Sequence, residues 1–150
     1  MRTIFFISAI ACIFAGCNSP KKITAAMPDP SKLAGSWELQ KIMGTGIAFD
    51  SLYPYRKPTM NFDVTNKRVS GNTSCNSFNG ALNVDSSAIN FNSPMAMTRM
   101  FCSGNGENMF LSALQKVNMW SIGKDASLNL MANDTLLMSF VKKQPVRENN

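Results

Sequence analysis

Apolar and polar residues alternate with a period of two over several short stretches of this chain, and this pattern constrains the fold most. Because successive side chains of a β-strand point to opposite faces, the alternation predicts strands with one buried and one solvated face. Turn-forming clusters such as residues 65–67 and 85–87 separate the stretches and suit antiparallel hairpins. The predicted inward-facing residues are Met60, Phe62, Val64, Leu82, Val84, Ile89, Phe91, Trp120, Ile122, Leu128, Leu130, Leu136, Met138 and Phe140.

The first predicted strand, around residues 36–42, has an irregular pattern. Trp37 and Leu39 face inward, but Lys41 then falls on the apolar face. A β-bulge or the end of the strand at this point would remove the conflict.

One segment departs from the alternation and predicts a single helix, because its apolar residues recur at spacings of three and four. These residues are Met109, Phe110, Ala113, Leu114 and Val117. We therefore predict a mainly β (α+β) fold, an antiparallel meander curled into a sheet or barrel, whose open end or flank is covered by one amphipathic helix.

The first residues have the features of a cleaved leader. A short positive start is followed by an apolar run from Ile4 to Ala15, which is shorter than the roughly 20 residues that a membrane-spanning helix needs. Residues 14–17 (FAGC) resemble the lipobox of bacterial lipoproteins, so we expect residues 1–16 to be a signal peptide and Cys17 to carry the lipid. An ordinary secretory signal with a chance cysteine is the alternative. Since Asn18 follows Cys17, the expected location is the outer membrane, with the protein facing the periplasm.

The mature chain divides into three parts in this prediction. Residues 17–31 form the lipidated N-terminus and a proline-rich tether, 32–143 form one domain, and 144–150 form a polar tail. Removal of Arg2 lowers the formal charge from +6 to +5, and the basic residues are dispersed. Because they form no stripe with interleaved aromatic residues, nucleic acid is not an expected partner. We expect a monomer.

Two cysteines, Cys75 and Cys102, remain in the predicted domain. In an oxidising periplasm they are a disulfide candidate, and two buried free thiols are the alternative. The chain has no histidine and no Cys-x-x-Cys unit, so neither a zinc site nor another metal or cofactor is expected.

The sequence around these cysteines resembles the META domain family, also called HslJ-like. The segments that carry the resemblance are 71–80 (GNTSCNSFNG), 97–102 (MTRMFC), Glu107, 110–111 (FL), 33–39 (LAGSWEL) and 58–63 (PTMNFD). Two positions depart from the family pattern: Leu82 stands where an aromatic residue is common, and Phe101 is larger than the usual small residue.

The resemblance implies a small lipocalin-like antiparallel barrel with a helix. It also implies an envelope and stress context, in which no enzymatic activity is a hallmark. The residues agree with this last point, since there is no histidine and no Gly-x-Ser-x-Gly elbow or phosphate-binding loop. The sequence leaves open whether carboxylates such as Asp63, Asp85 and Glu107 come together in space as a catalytic pair.

The Cys75-Asn76 turn and the Thr98-Arg99 run supply a candidate structural or contact loop made of Asn76, Phe78, Gly80, Thr98 and Arg99. This loop is either a corner held by the cysteines or a surface that contacts a ligand. A second long connection, residues 44–57, carries aromatic residues and either binds something or folds over the barrel mouth.

These observations favour a non-enzymatic envelope lipoprotein that binds another envelope protein under stress. The alternative is a lipocalin-like carrier of a small apolar ligand, which requires a hollow interior.

Overall fold

The residues described by the computed structural model, 28–144, place ten antiparallel strands in one sheet. The strands are β1 (Gly35–Ile42), β2 (Thr59–Asp63), β3 (Arg68–Asn72), β4 (Ser77–Ala81), β5 (Asn83–Asp85), β6 (Ala88–Asn90), β7 (Ala96–Met97), β8 (Met119–Ile122), β9 (Leu128–Ala132) and β10 (Thr135–Lys142). Their order across the sheet is β5-β6-β8-β9-β10-β1-β2-β3-β4-β7.

The sheet curls into a half-barrel because of the connection between β4 and β5. Only Leu82 separates these two strands, yet β5 forms one edge of the sheet and β4 lies next to the other edge. Adjacent residues must be close in space, so the two ends of the sheet approach each other. The Leu82 N–H donates to the Lys67 carbonyl (2.9 Å), which fixes the corner beside the β2–β3 turn. The predicted mainly β, barrel-like fold is confirmed.

Large side chains fill the concave side of this sheet. The alternation predicts most of them correctly, and Val64, Val84 and Ile122 pack against the core while only partly buried. The largest fully buried side chains are Trp37, Trp120, Phe62, Phe110, Phe140, Leu33, Leu39, Met60, Ile89, Leu114, Leu128 and Leu130.

Two β-bulges determine which side chains of the long strands β1 and β10 face the core. In β1 the register shifts between Leu39 and Lys41, which leaves Lys41 exposed and buries Ile42. Of the two alternatives that the sequence left open, a bulge or the end of the strand, the structure shows the bulge. In β10 the register shifts between Leu136 and Met138. Leu137 packs against the core, whereas the alternation predicts that Leu136 faces inward. That single prediction was wrong because a bulge exchanges the two faces of a strand.

The helix prediction is also confirmed. Helix α2 (Gly106–Leu114) buries Phe110 and Leu114, and the following turn buries Val117. A four-residue turn of helix, α1 (Phe49–Leu52), lies within the 44–57 connection and buries Leu52. The connection is thus attached to the domain through Leu52 and the adjacent Tyr53, while most of its other residues are exposed.

The structure begins with a 3-10 turn, Pro30–Leu33, whose N-cap Asp29 accepts a hydrogen bond from the Ser31 N–H (2.9 Å). Pro30 and Ser31, which the sequence placed at the end of the tether, therefore belong to the folded domain. The predicted signal peptide, Cys17 and residues 145–150 of the tail lie outside the described residues. Within residues 28–144, no helix has the length and apolarity required to cross a bilayer.

Candidate functional site

A tight loop, residues 73–76, connects β3 to β4 and begins the candidate site. Thr73 N–H donates to the Asn76 carbonyl (2.8 Å), and the Asn72 side chain accepts from the Ser74 N–H (2.8 Å). Ser74 has a φ of 85°, a left-handed conformation that the Asn72 contact supports. The loop is therefore shaped by hydrogen bonds among its own residues.

A disulfide ties this loop to the segment that precedes α2. Cys75 and Cys102 are bonded across 27 residues, with their Cα atoms 6.0 Å apart. Cys75 is buried, whereas Cys102 is exposed. The bond therefore fixes an exposed segment to a buried point of the loop between β3 and β4.

Asn76 forms the second connection to the same segment. Its side-chain oxygen accepts hydrogen bonds from the Met100 N–H (2.7 Å) and from the Thr98 hydroxyl (2.8 Å). Its side-chain nitrogen lies 3.2 Å from the Met100 carbonyl oxygen. Because Asn76 is only 2% exposed, these bonds form away from competing water. One amide side chain thus holds both backbone groups of Met100.

Glu107, in the first turn of α2, closes the network from the other side. Its carboxylate accepts hydrogen bonds from the Thr73 hydroxyl, the Asn76 N–H (3.2 Å) and the Asn76 side-chain amide (3.0 Å). An anionic side chain at a helix N-terminus is also favoured by the helix dipole. Sequence reasoning placed Glu107 in the family resemblance and among the carboxylates, but its contact with Asn76 spans 31 residues and was not predicted. We call Thr73, Asn76, Thr98 and Glu107 the Asn76 network.

Tyr53 attaches the 44–57 connection to the same end of the domain. Its hydroxyl donates to the Gly106 carbonyl (3.0 Å), at the start of α2. Burial raises the pKa of Tyr53 to about 12, so its phenol stays protonated and able to donate. A Cβ on Gly106 would lie 2.6 Å from the Leu52 carbonyl oxygen, so only glycine fits there.

The structure separates the five residues of the predicted contact loop into different roles. Asn76 and Thr98 meet in the network. Phe78 is a core residue, with its ring centroid 6.3 Å from that of Phe110. Gly80 lies within β4 beside Met95 and has no positive φ. Arg99 is exposed.

Several acidic side chains of the described residues, those of Asp29, Asp63 and Asp125, accept local hydrogen bonds. Hydrogen bonds from Asn66 lower the pKa of Asp63, and those from Ser127 lower the pKa of Asp125. Within residues 28–144, no group of three or more His, Cys, Asp or Glu side chains is placed to hold a metal ion. The carboxylate of the candidate site, Glu107, serves as an acceptor for protein donors. The arrangement is thus suited to holding the exposed segment 98–102 in one conformation.

Comparison with solved structures supports the fold. The chain is similar to a protein from Burkholderia xenovorans solved by NMR, with 18% identity, a TM-score of 0.58, and coverage of 85% of this chain and 97% of that one. It is also similar to a DUF4847 family protein from Bacteroides vulgatus, with 13% identity, a TM-score of 0.51, and coverage of 75% and 96%. At these identities the likeness concerns the fold alone. No curated protein matches the chain.

The family model of the META domain matches residues 31–145. This range includes the whole sheet, the disulfide and the Asn76 network. The chain therefore belongs to the META domain family.

Proposed function

We propose that this protein is a non-enzymatic lipoprotein of the bacterial envelope whose META domain binds another protein. The binding role is inferred from what the Asn76 network holds in place. Its buried hydrogen bonds, together with the disulfide, fix an exposed segment that carries Arg99, Met100 and Phe101. Pre-organisation of this kind lowers the entropy cost of association.

The same network argues against a catalytic role for its residues. An efficient general base must reach a substrate proton, and the Glu107 carboxylate already receives three donors from Thr73 and Asn76. The Thr98 hydroxyl donates to Asn76 and accepts from the Ser77 N–H (3.1 Å). These groups have little capacity left for a reacting molecule.

The envelope location rests on the leader sequence. The apolar run before Cys17 and the small residues Ala15 and Gly16 are those that a lipoprotein signal needs. A lipid on Cys17 would hold the domain at the membrane through the tether, facing the periplasm. A role under envelope stress is part of this proposal and follows from the resemblance to HslJ-like proteins.

The carrier alternative is less favoured because of the core packing. Trp37, Phe62, Trp120 and Phe140 occupy the concave side of the sheet and are each no more than 2% exposed. An apolar ligand would have to displace some of them.

Two measurements test the proposal. Labelled palmitate should enter the wild-type protein in growing bacteria and should not enter Cys17→Ser, whereas Cys12→Ser should still be labelled. Crosslinking in intact cells should join the domain to another envelope protein. Absence of label would refute the anchor, and absence of any protein adduct would refute the binding role.

A further inference from the structure

Two adjacent apolar side chains beside the disulfide are exposed to solvent. Phe101 is 97% exposed and Met100 is 60% exposed. Burial of a phenylalanine side chain stabilises a fold by about 1.5–3 kcal/mol, and an exposed phenylalanine does not contribute this stabilisation. Its place on the surface has no explanation in the folding of this domain.

The backbone on both sides of Phe101 is fixed. On one side, Asn76 bonds to Met100 through both the N–H (2.7 Å) and the carbonyl oxygen (3.2 Å). On the other side, Cys102 is bonded to Cys75. Phe101 is therefore presented by a restrained backbone, as the aromatic anchors of protein interfaces are.

Arg99 adds a charge to this surface. It is exposed, and no carboxylate within residues 28–144 lies within 4.0 Å of it, since the one ion pair described joins Lys143 to Glu38. We call Arg99, Met100 and Phe101 the Arg99–Phe101 tip. The tip combines an aromatic residue, a methionine and an arginine, which are enriched in protein interfaces.

The surroundings of the tip provide space for a partner. Met100 and Phe101 line two shallow depressions, one beside Leu52 and Gly104 and the other beside Met97 and Thr98. A partner surface that received the Phe101 ring would also contact the walls of these depressions.

We propose that the Arg99–Phe101 tip is the anchor of the interface, inserting into an apolar pocket of a partner protein that has a carboxylate at its border to pair with Arg99. This inference rests on the proposed binding function. A lipid surface is less suited, because each basic residue contributes about 1 kcal/mol to anionic membranes and Arg99 is the single charged residue of segment 98–105. A two-fold contact with its axis at the tip would bring two Arg99 side chains together, which is unfavourable.

The test uses the full chain in intact cells with a photo-crosslinking amino acid at position 103. Ser103 is exposed and lies next to the disulfide, so the probe leaves Phe101 in place. We expect a protein adduct whose yield falls about tenfold or more with Phe101→Ser, because interface anchors dominate affinity. Val141→Ser is the matched control, since Val141 is 43% exposed and lies on β10. This variant should keep the adduct.

The charge is tested separately. Arg99→Glu should reduce the adduct yield about tenfold, because it would place a negative charge beside the partner's carboxylate. Arg99→Lys keeps the positive charge and should retain most of the adduct. Mass spectrometry should place the crosslink on a partner segment that contains Asp or Glu. Thermal unfolding of each variant checks that its fold is retained.

Several results would overturn the inference: an adduct with lipid, an adduct with a second copy, or an adduct that persists in Phe101→Ser. If probes at residues 47 or 55 yield protein adducts while position 103 yields none, the binding function stands and the tip is rejected. If no position yields a protein adduct, both proposals fail.

Discussion

The carboxylate of Glu107 accepts hydrogen bonds from both the backbone N–H and the side-chain amide of Asn76, a residue 31 positions earlier in the chain. This relationship joins the start of α2 to the loop between β3 and β4. Because Asn76 also holds Met100, the same pair determines where the exposed segment lies.

Asn76→Asp should be strongly destabilising. The substitution removes the amide donor and places a second carboxylate beside Glu107, which we expect to cost about 3 kcal/mol of unfolding free energy. Urea denaturation measures the change. Asn79→Asp is the control, because Asn79 is exposed and already accepts from the Arg68 guanidinium (3.1 Å). Equal effects at both positions would contradict the assigned role of Asn76.

The two tryptophans provide a matched pair for a second prediction. The Trp37 indole N–H donates to the Leu33 carbonyl (2.7 Å), whereas the buried Trp120 indole N–H has no hydrogen-bond partner among the described residues. Trp→Phe removes a similar volume at each position. Trp37→Phe should therefore cost about 1–3 kcal/mol more than Trp120→Phe, because it alone leaves an acceptor unpaired. The reverse order of unfolding midpoints would refute this account.

The burial of Tyr53 predicts that its phenol loses its proton at a higher pH than an ordinary tyrosine. In Tyr55→Phe, phenolate absorbance reports Tyr53 alone, and its midpoint is expected at about 12. Since the folded pKa lies above the ordinary value of 10.0, the contribution of the neutral phenol is complete below pH 10 and is lost as the pH rises through about 12. A midpoint near 10 in the folded protein would show that Tyr53 is not buried.

Two glycines of the cysteine motif should respond differently to alanine. A Cβ on Gly71 would lie 2.0 Å from the Thr59 carbonyl oxygen, whereas one on Gly80 would lie 2.8 Å from the side chain of Met95. Backbone of a paired strand cannot move aside, but a methionine can change rotamer. We expect Gly71→Ala to cost about 3 kcal/mol or more and Gly80→Ala about 1 kcal/mol. Thermal unfolding of both variants decides the order.

Some elements of the sheet were visible in the sequence and others were not. Strands such as β2 and β9 alternate between large apolar and polar residues, so periodicity alone identified them. Strands β3 and β4 were not predicted, because each contains a single large apolar residue, Val69 or Phe78. Their motif was interpreted as a loop, either a structural corner or a ligand contact, and this describes only residues 73–76 between the two strands.

In the candidate site, too, some features were predictable from the sequence and others were not. The resemblance to the family pointed to Asn76, Thr98 and the two cysteines, but it could not separate Phe78, a core residue, and Gly80, which lies against Met95, from the exposed Arg99. The partnership of Asn76 with Glu107 depends on where α2 begins in space, and no local pattern carries that information.

The sequence by itself determined the strand periodicity, the single amphipathic helix, the irregularity at Lys41 in β1 and the family, because each depends on neighbouring side chains or on a contiguous motif. The tertiary structure alone decided the closure of the sheet at Leu82, the bond between Cys75 and Cys102, and the exposure of Phe101. These features are contacts, or the absence of contacts, between segments far apart in the chain. They become defined only when the whole core has packed.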